Sequence, residues 1–112
     1  MLKFIGEKDV SKVMKKIGVC TAGINMMVPK AIFKRILLKD VRNSIANIIK
    51  QEMLAVGGDA AVNKGCVNCT IKQSDVLLLG TVKQLLTFAE KMKQQPKESK
   101  KISKQVIKLI MT

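Results

Sequence analysis

Four groups of residues have the types and spacings that could do chemistry. The first, Cys66-Val67-Asn68-Cys69, has the spacing of half a zinc site or of a dithiol redox pair. A structural zinc takes four ligands, yet the chain has no His, and its only other thiol is Cys20. A redox pair needs its first Cys at a helix N-terminus, whereas Val67-Asn68 reads as extended, which turns the two thiols to opposite faces. No metal and no cofactor is therefore expected here, and an odd thiol count without an export signal implies free thiols.

The second group, Gly57-Gly58, invites comparison with a phosphate loop, but it follows a helix and so faces the negative end of the helix dipole. It reads as a helix stop. The third, Gly80-Thr81 with Lys83, is the better anion candidate, because an apolar strand there feeds a helix N-terminus whose amides point at a ligand. Against it, Thr81-Val82-Lys83-Gln84 also fits a capping box, which would use some of those donors. The fourth is a polar set: Asn47, Lys50, Gln51, Glu52 and Asp59, with Lys30 as a further member. These converge if the helix holding the first four packs antiparallel to the strand after Gly58. Nothing in them completes a nucleophile-base pair or a carboxylate dyad, so no catalytic residue is assigned. Gly80, Thr81, Lys83, Asn47, Lys50, Gln51 and Asp59 are the candidate ligand-binding residues.

The elements that must position these groups belong to one domain. A chain of 112 residues supports a single modest core. With three Phe, no Trp and no Tyr, that core is aliphatic, with seven Met as adaptable filler. No apolar run reaches the roughly 18 to 20 residues of a membrane span, and the start lacks the apolar region of a signal peptide, so a cytoplasmic location is expected. The net charge of +13 is uneven, with excesses of +7 over residues 1–42, none over 43–90 and +6 over 91–112. Lys outnumbers Arg 19 to 2, and no stacking aromatics accompany them, which argues against nucleic-acid binding and for a solvated surface.

In chain order, Leu2 to Ile5 reads as a short strand. Asp9 is placed as the cap of a helix whose Val10, Val13, Met14 and Ile17 share one face, stopped by Gly18. Cys20 to Gly23 is expected to be a loop and Ile24 to Val28 a strand. Ala31 to Lys39 fits either a helical turn or an alternating strand, and the favoured reading is a turn at Pro29 to Ile32 and a strand over Lys34 to Lys39. Asp40 is placed as the N-cap of a central helix running to Val56, with Ile45, Ile48, Ile49, Met53 and Val56 buried and Gly57 as its left-handed stop. Asp59 to Val62 reads as a strand of small side chains, Asn63 to Gly65 as a turn, and Val67 to Ile71 as either an edge strand or an ordered loop.

Val76 to Leu79 is expected to be a central strand covered on both faces. Val82, Leu85, Leu86, Ala89 and Met92 then mark a helix that Pro96 ends. Residues 97–112 form a basic amphipathic segment, with Ile102, Val106, Leu109 and Ile110 opposite Lys100, Lys101, Lys104 and Lys108. It is either a helix docked on the domain or one for a partner or an anionic surface. The expected fold class is α/β, a single two-layer domain with a mixed sheet covered by helices, the domain spanning 1–96 and the tail 97–112.

Three blocks add a family resemblance: Gly23 to Lys34, Ser44 to Gly65 and Ser74 to Pro96. Their most specific parts are KQEML-x-x-GGDAAV (Lys50 to Val62) and DVLLLGT-x-KQ (Asp75 to Gln84). Together they resemble the amino-terminal extension that precedes the catalytic barrel of clostridial-type dihydropteroate synthases. The chain departs from that pattern at Cys20-Thr21, where Asp-Pro is usual, at Asn25, where an acid is usual, and in its Lys-rich tail. The resemblance implies a noncatalytic accessory domain of folate biosynthesis, bound to the pterin-condensing barrel or to itself. In a longer chain it would be part of a transferase. The barrel's own pterin-binding signature is absent from this sequence, so no catalytic residue is carried over. The alternatives are a small binding protein for an anionic metabolite such as a pterin pyrophosphate, and a Lys-rich polyanion binder. Membrane and nucleic-acid partners are not expected.

Overall fold

The fold, obtained as a computed structural model, is described for residues 1–95 and 97–112. A short 3-10 turn, Glu7–Asp9, leads into α1 (Val10–Ile17) and α2 (Thr21–Ala31). The chain continues as β1 (Phe33–Arg42), α3 (Asn43–Ala55), β2 (Asp59–Ala61), β3 (Gln73–Thr81), α4 (Val82–Met92) and α5 (Lys97–Ile110).

The sheet has the order β1-β3-β2, and both pairs are antiparallel. The α/β architecture stands, with an antiparallel sheet where a mixed one was expected. β1, α3 and β2 do make a strand-helix-strand crossover, but β3 enters between the two strands that would otherwise have paired in parallel. The register places Ile36 opposite Leu78 and Leu78 opposite Ala60, and all three are buried. This face carries the core, in which they cluster with Ile45, Ile49 and Met53 of α3 and Leu85, Phe88, Ala89 and Met92 of α4. Side chains on the other face of the sheet are more open. Leu77 and Leu79 are half-buried, and Phe33 and Leu37 are exposed. Val76 to Leu79 is thus central, as expected, but fully covered on one face only.

The stripe expected on α3 packs, joined by Ala46, whereas on α4 Leu85, Ala89 and Met92 are buried together with Phe88, and Val82 and Leu86 stay half-buried outside the core. Gly18 and Gly57 take the left-handed backbone of helix stops, at φ of 98° and 91°. The tail is helical and docked: α5 lies along α4, Val106 is buried, and the Ser103 hydroxyl donates to the Ala89 carbonyl at 2.6 Å. The helix stop expected at Pro96 lies outside the described residues.

The amino-terminal third differs from expectation. Leu2 to Ile5 forms no strand, because no sheet edge pairs with it, and Leu2 and Phe4 stand in solvent. The loop at Cys20 to Gly23, the strand at Ile24 to Val28 and most of the turn at Pro29 to Ile32 are one helix, α2. Cys20 caps it, its Sγ accepting from the Gly23 amide at 3.4 Å. Pro29 sits near the end of that helix, where it removes one backbone bond, and the helix stops at Ala31. Asp9 precedes α1, but its side chain makes no cap bond.

Asp40 is not the cap of the central helix. It lies in β1 with φ of 54°, at a bulge between Leu38 and Val41. The helix begins three residues further on, where the Asn43 amide donates to the Lys72 carbonyl at 2.8 Å, a bond between distant segments. Residues 64–69 form successive turns, so the segment left open between edge strand and loop is a loop.

Candidate functional site

The candidate anion site at the start of α4 is a closed cap. Thr81 Oγ1 accepts from the Gln84 amide at 3.1 Å, and Gln84 Oε1 accepts from the Thr81 amide at 2.9 Å. The Val82 amide donates to the Ile32 carbonyl at 2.8 Å. Three of the four amides from Thr81 to Gln84 are therefore already bonded within the chain, and the positive end of the dipole is spent on protein acceptors.

Gly80 serves that cap by allowing close approach. A Cβ built on it would lie 3.2 Å from the Met53 methyl and 3.3 Å from Gln84 Oε1. Gly58 is tighter, since a Cβ there would meet the Leu79 carbonyl oxygen and the Met53 methyl, each at 2.7 Å. At Gly57 a Cβ would come within 3.1 Å of Gln84 Nε2. The two glycine motifs, far apart in sequence, thus pack around one amide side chain and one methionine. Their shared role is close packing between the end of α3, the end of β3 and the start of α4.

The other candidate residues separate into distinct places. Lys50 and Asp59 do meet, Nζ to Oδ1 at 2.9 Å, because the Gly57-Gly58 turn sends β2 back beside α3. The same Asp59 oxygen accepts from the Ala60 amide at 2.7 Å. The Lys50 ammonium first, and then that amide, hold the Asp59 carboxyl below its ordinary 3.8. Asn47 faces elsewhere and donates to the Cys66 carbonyl at 2.9 Å, tying α3 to the loop after β2. Gln51 is exposed.

Lys83 and Lys30 share an open groove of about 390 Å³ between α2 and α4, lined also by Met26, Pro29, Leu86 and Glu90. Sequence reading separates these two lysines, because α2 is the helix it does not find.

Cys66 is buried while Cys20 and Cys69 are exposed, and all three thiols are free. Among the described residues no group of His, Cys, Asp and Glu could hold a metal ion, and no helix is long and apolar enough to cross a membrane.

Two further polar features had no signal in the sequence. Asp75 braces the bulge in β1, its carboxylate accepting from the Asp40 amide and from Lys39 Nζ, each at 3.0 Å. That amide, followed by the lysine, lowers the Asp75 pKa, and the Asp75 bond raises that of Lys39. Just past that bulge, at the end of β1, Arg42 pairs with Glu98 of α5 at 2.9 Å. Both partnerships join residues more than thirty positions apart.

The polar side chains that sequence patterns single out are thus used chiefly to close corners of the fold. In comparisons with protein-family models, with curated proteins and with solved structures, nothing matches the chain.

Proposed function

We propose that this chain is a noncatalytic interaction module that accompanies a dihydropteroate synthase barrel in the cytoplasm, in folate biosynthesis. The observation that carries the interaction reading is the open face of the sheet. Phe33 and Leu37 stay 46% and 57% exposed there, beside the half-buried Leu77 and Leu79. Apolar side chains grouped on one face favour a protein partner, while Asn47, Lys50, Asp59 and Thr81 are bonded within the fold. The link to the barrel rests on the two most specific sequence blocks, which meet around Gln84 and Met53. Size-exclusion chromatography of the chain with a dihydropteroate synthase barrel at micromolar concentration is expected to give a complex. Separate elution of the two overturns the reading.

A second reading, a binding protein for an anionic metabolite such as a pterin pyrophosphate, is favoured by the groove holding Lys30 and Lys83. Under that reading pterin pyrophosphate raises the melting temperature, and Lys30→Ala with Lys83→Ala removes the rise. Under the interaction reading it has no effect.

A further inference from the structure

We propose that the free edge of β1, together with α5, forms an acceptor cleft for an acidic extended segment of a partner protein, which adds to the sheet as a fourth strand. This deepens the interaction reading above and rests on it only for the existence of a partner.

β1 is an edge strand that pairs with β3 alone. Alternate amides and carbonyls between Phe33 and Leu38 therefore point away from the sheet, as a ready template for another strand. α5 runs beside that edge. It is joined to β1 by the Arg42–Glu98 pair at one end, and two hollows lie between them, of about 290 and 410 Å³. Both hollows are lined by Lys39 and Gln105, so they adjoin one another along the strand. The larger hollow is lined mostly by apolar side chains, Ile36, Leu38 and Val106 among them, and it is incompletely covered, with Leu37 and Leu109 57% and 58% exposed. A strand edge flanked by a helix, with apolar side chains between them, is the arrangement by which proteins capture extended peptides.

The charges select the occupant. Of the acids of this region, Asp75 is paired with Lys39 and Glu98 with Arg42, while Asp40, which lines the smaller hollow, has no ion pair among the described residues and is outnumbered by the unpaired cations. The cations Lys34, Arg35, Lys101 and Lys108 take part in no ion pair among the described residues. A second copy of the chain would lay Lys34 and Arg35 against like charges, on a molecule of net charge +13, and like charges opposite one another in a sheet destabilise it. An acidic strand turns the same side chains into attraction. The bulge at Leu38/Val41, where Asp40 has positive φ, ends the regular edge and confines pairing to Phe33 through Leu38.

The test uses the whole chain and an acetylated peptide of alternating Glu and Val, followed by fluorescence anisotropy at physiological salt. A twin peptide carries N-methyl groups on alternate residues, which removes its strand donors while keeping every charge and side chain. The parent peptide is expected to bind, and the twin to bind at least about tenfold more weakly, because main-chain hydrogen bonds carry affinity in strand addition. On binding, alternate amides of β1 should slow in hydrogen exchange. The variant Leu37→Glu/Leu109→Glu, altered only at exposed positions, should keep its melting temperature and lose the peptide.

Equal binding of the two peptides overturns the proposal, as does binding of polyglutamate as tight as the parent. Binding to phosphatidylserine vesicles without peptide binding also overturns it and makes the Lys-rich face a lipid surface. A barrel complex that leaves β1 exchange unchanged removes the strand edge but keeps the interaction reading. Peptide protection of β1 without a barrel complex supports the edge and removes the barrel.

Discussion

Residues 1–32 and residues 33–92 are both built from well-patterned segments, yet they are held in different ways. In the first region Ile24 is the one buried hydrophobic among the described residues, and α1 has no buried residue. In the second, each element is fixed by packing from distant segments, as where Met53 of α3 touches the space over both Gly58 and Gly80. A local pattern is decisive where tertiary burial agrees with it, and ambiguous where little burial follows. Ile24, Met26 and Val28 alternate as in a strand, but nothing pairs with them, and a helix satisfies their backbone without a partner.

The largest expected effect that sharpens this contrast is in the core. Phe88→Ala should cost about 3 to 5 kcal/mol in urea unfolding, with loss of amide protection throughout β3. Ile24→Ala should instead loosen α1 and α2 while β3 stays protected in hydrogen exchange. Equal global destabilisation by the two would break the comparison.

Two glycines come next. Gly58→Ala should cost roughly 1 to 3 kcal/mol, because the new methyl meets backbone oxygen and forces a shift in packed structure. Gly18→Ala meets open space and carries only the left-handed backbone penalty, about 1 to 2 kcal/mol, which should appear as fraying of α1 and not as a lowered melting point of the core. The two N-caps give a smaller contrast. Thr81→Ala should lose about 1 kcal/mol, whereas Asp9→Ala should be close to neutral, since no cap bond is lost.

The smallest effect is acid-dependent. Asp59 and Asp75 both have folded-state pKa values below the ordinary 3.8. Their contribution is present above that value and is lost as pH falls through the lowered one. Asp75→Asn should therefore flatten the decline in melting temperature at acid pH, leaving the Asp59 part, and an unchanged acid limb would show that the bulge does not need the charge.

Much of the middle region was legible in the sequence, because its signals are local and agree with its packing. Thr81 and Gln84 sit at capping-box spacing, Gly57 follows the last buried turn of α3, and Val76 to Leu79 is too apolar for an edge. Asp40 misled because a good capping residue stands where a strand must bulge. The true start of α3 depends on the Lys72 carbonyl, which no spacing rule reaches. Of the candidate site, Lys50 with Asp59 was readable from the Gly57-Gly58 reversal. Asn47 and Gln51 do not join that pair, since Asn47 turns to the Cys66 carbonyl and Gln51 to solvent, and Lys83 meets Lys30 only through a helix that a glycine and a proline disguise. The insertion of β3 between β1 and β2, which makes β1 an edge, is a long-range choice that no single segment encodes.

The bond from Asn47 to the Cys66 carbonyl has a consequence for thiol chemistry. Cys20 and Cys69 meet solvent, but Cys66 is fully enclosed beside that tether. An alkylating reagent should consume two thiols at once and the third only when the loop lets go of α3. The slow phase then times that opening directly, and in Asn47→Ala the same clock should run faster while the other two thiols keep their pace.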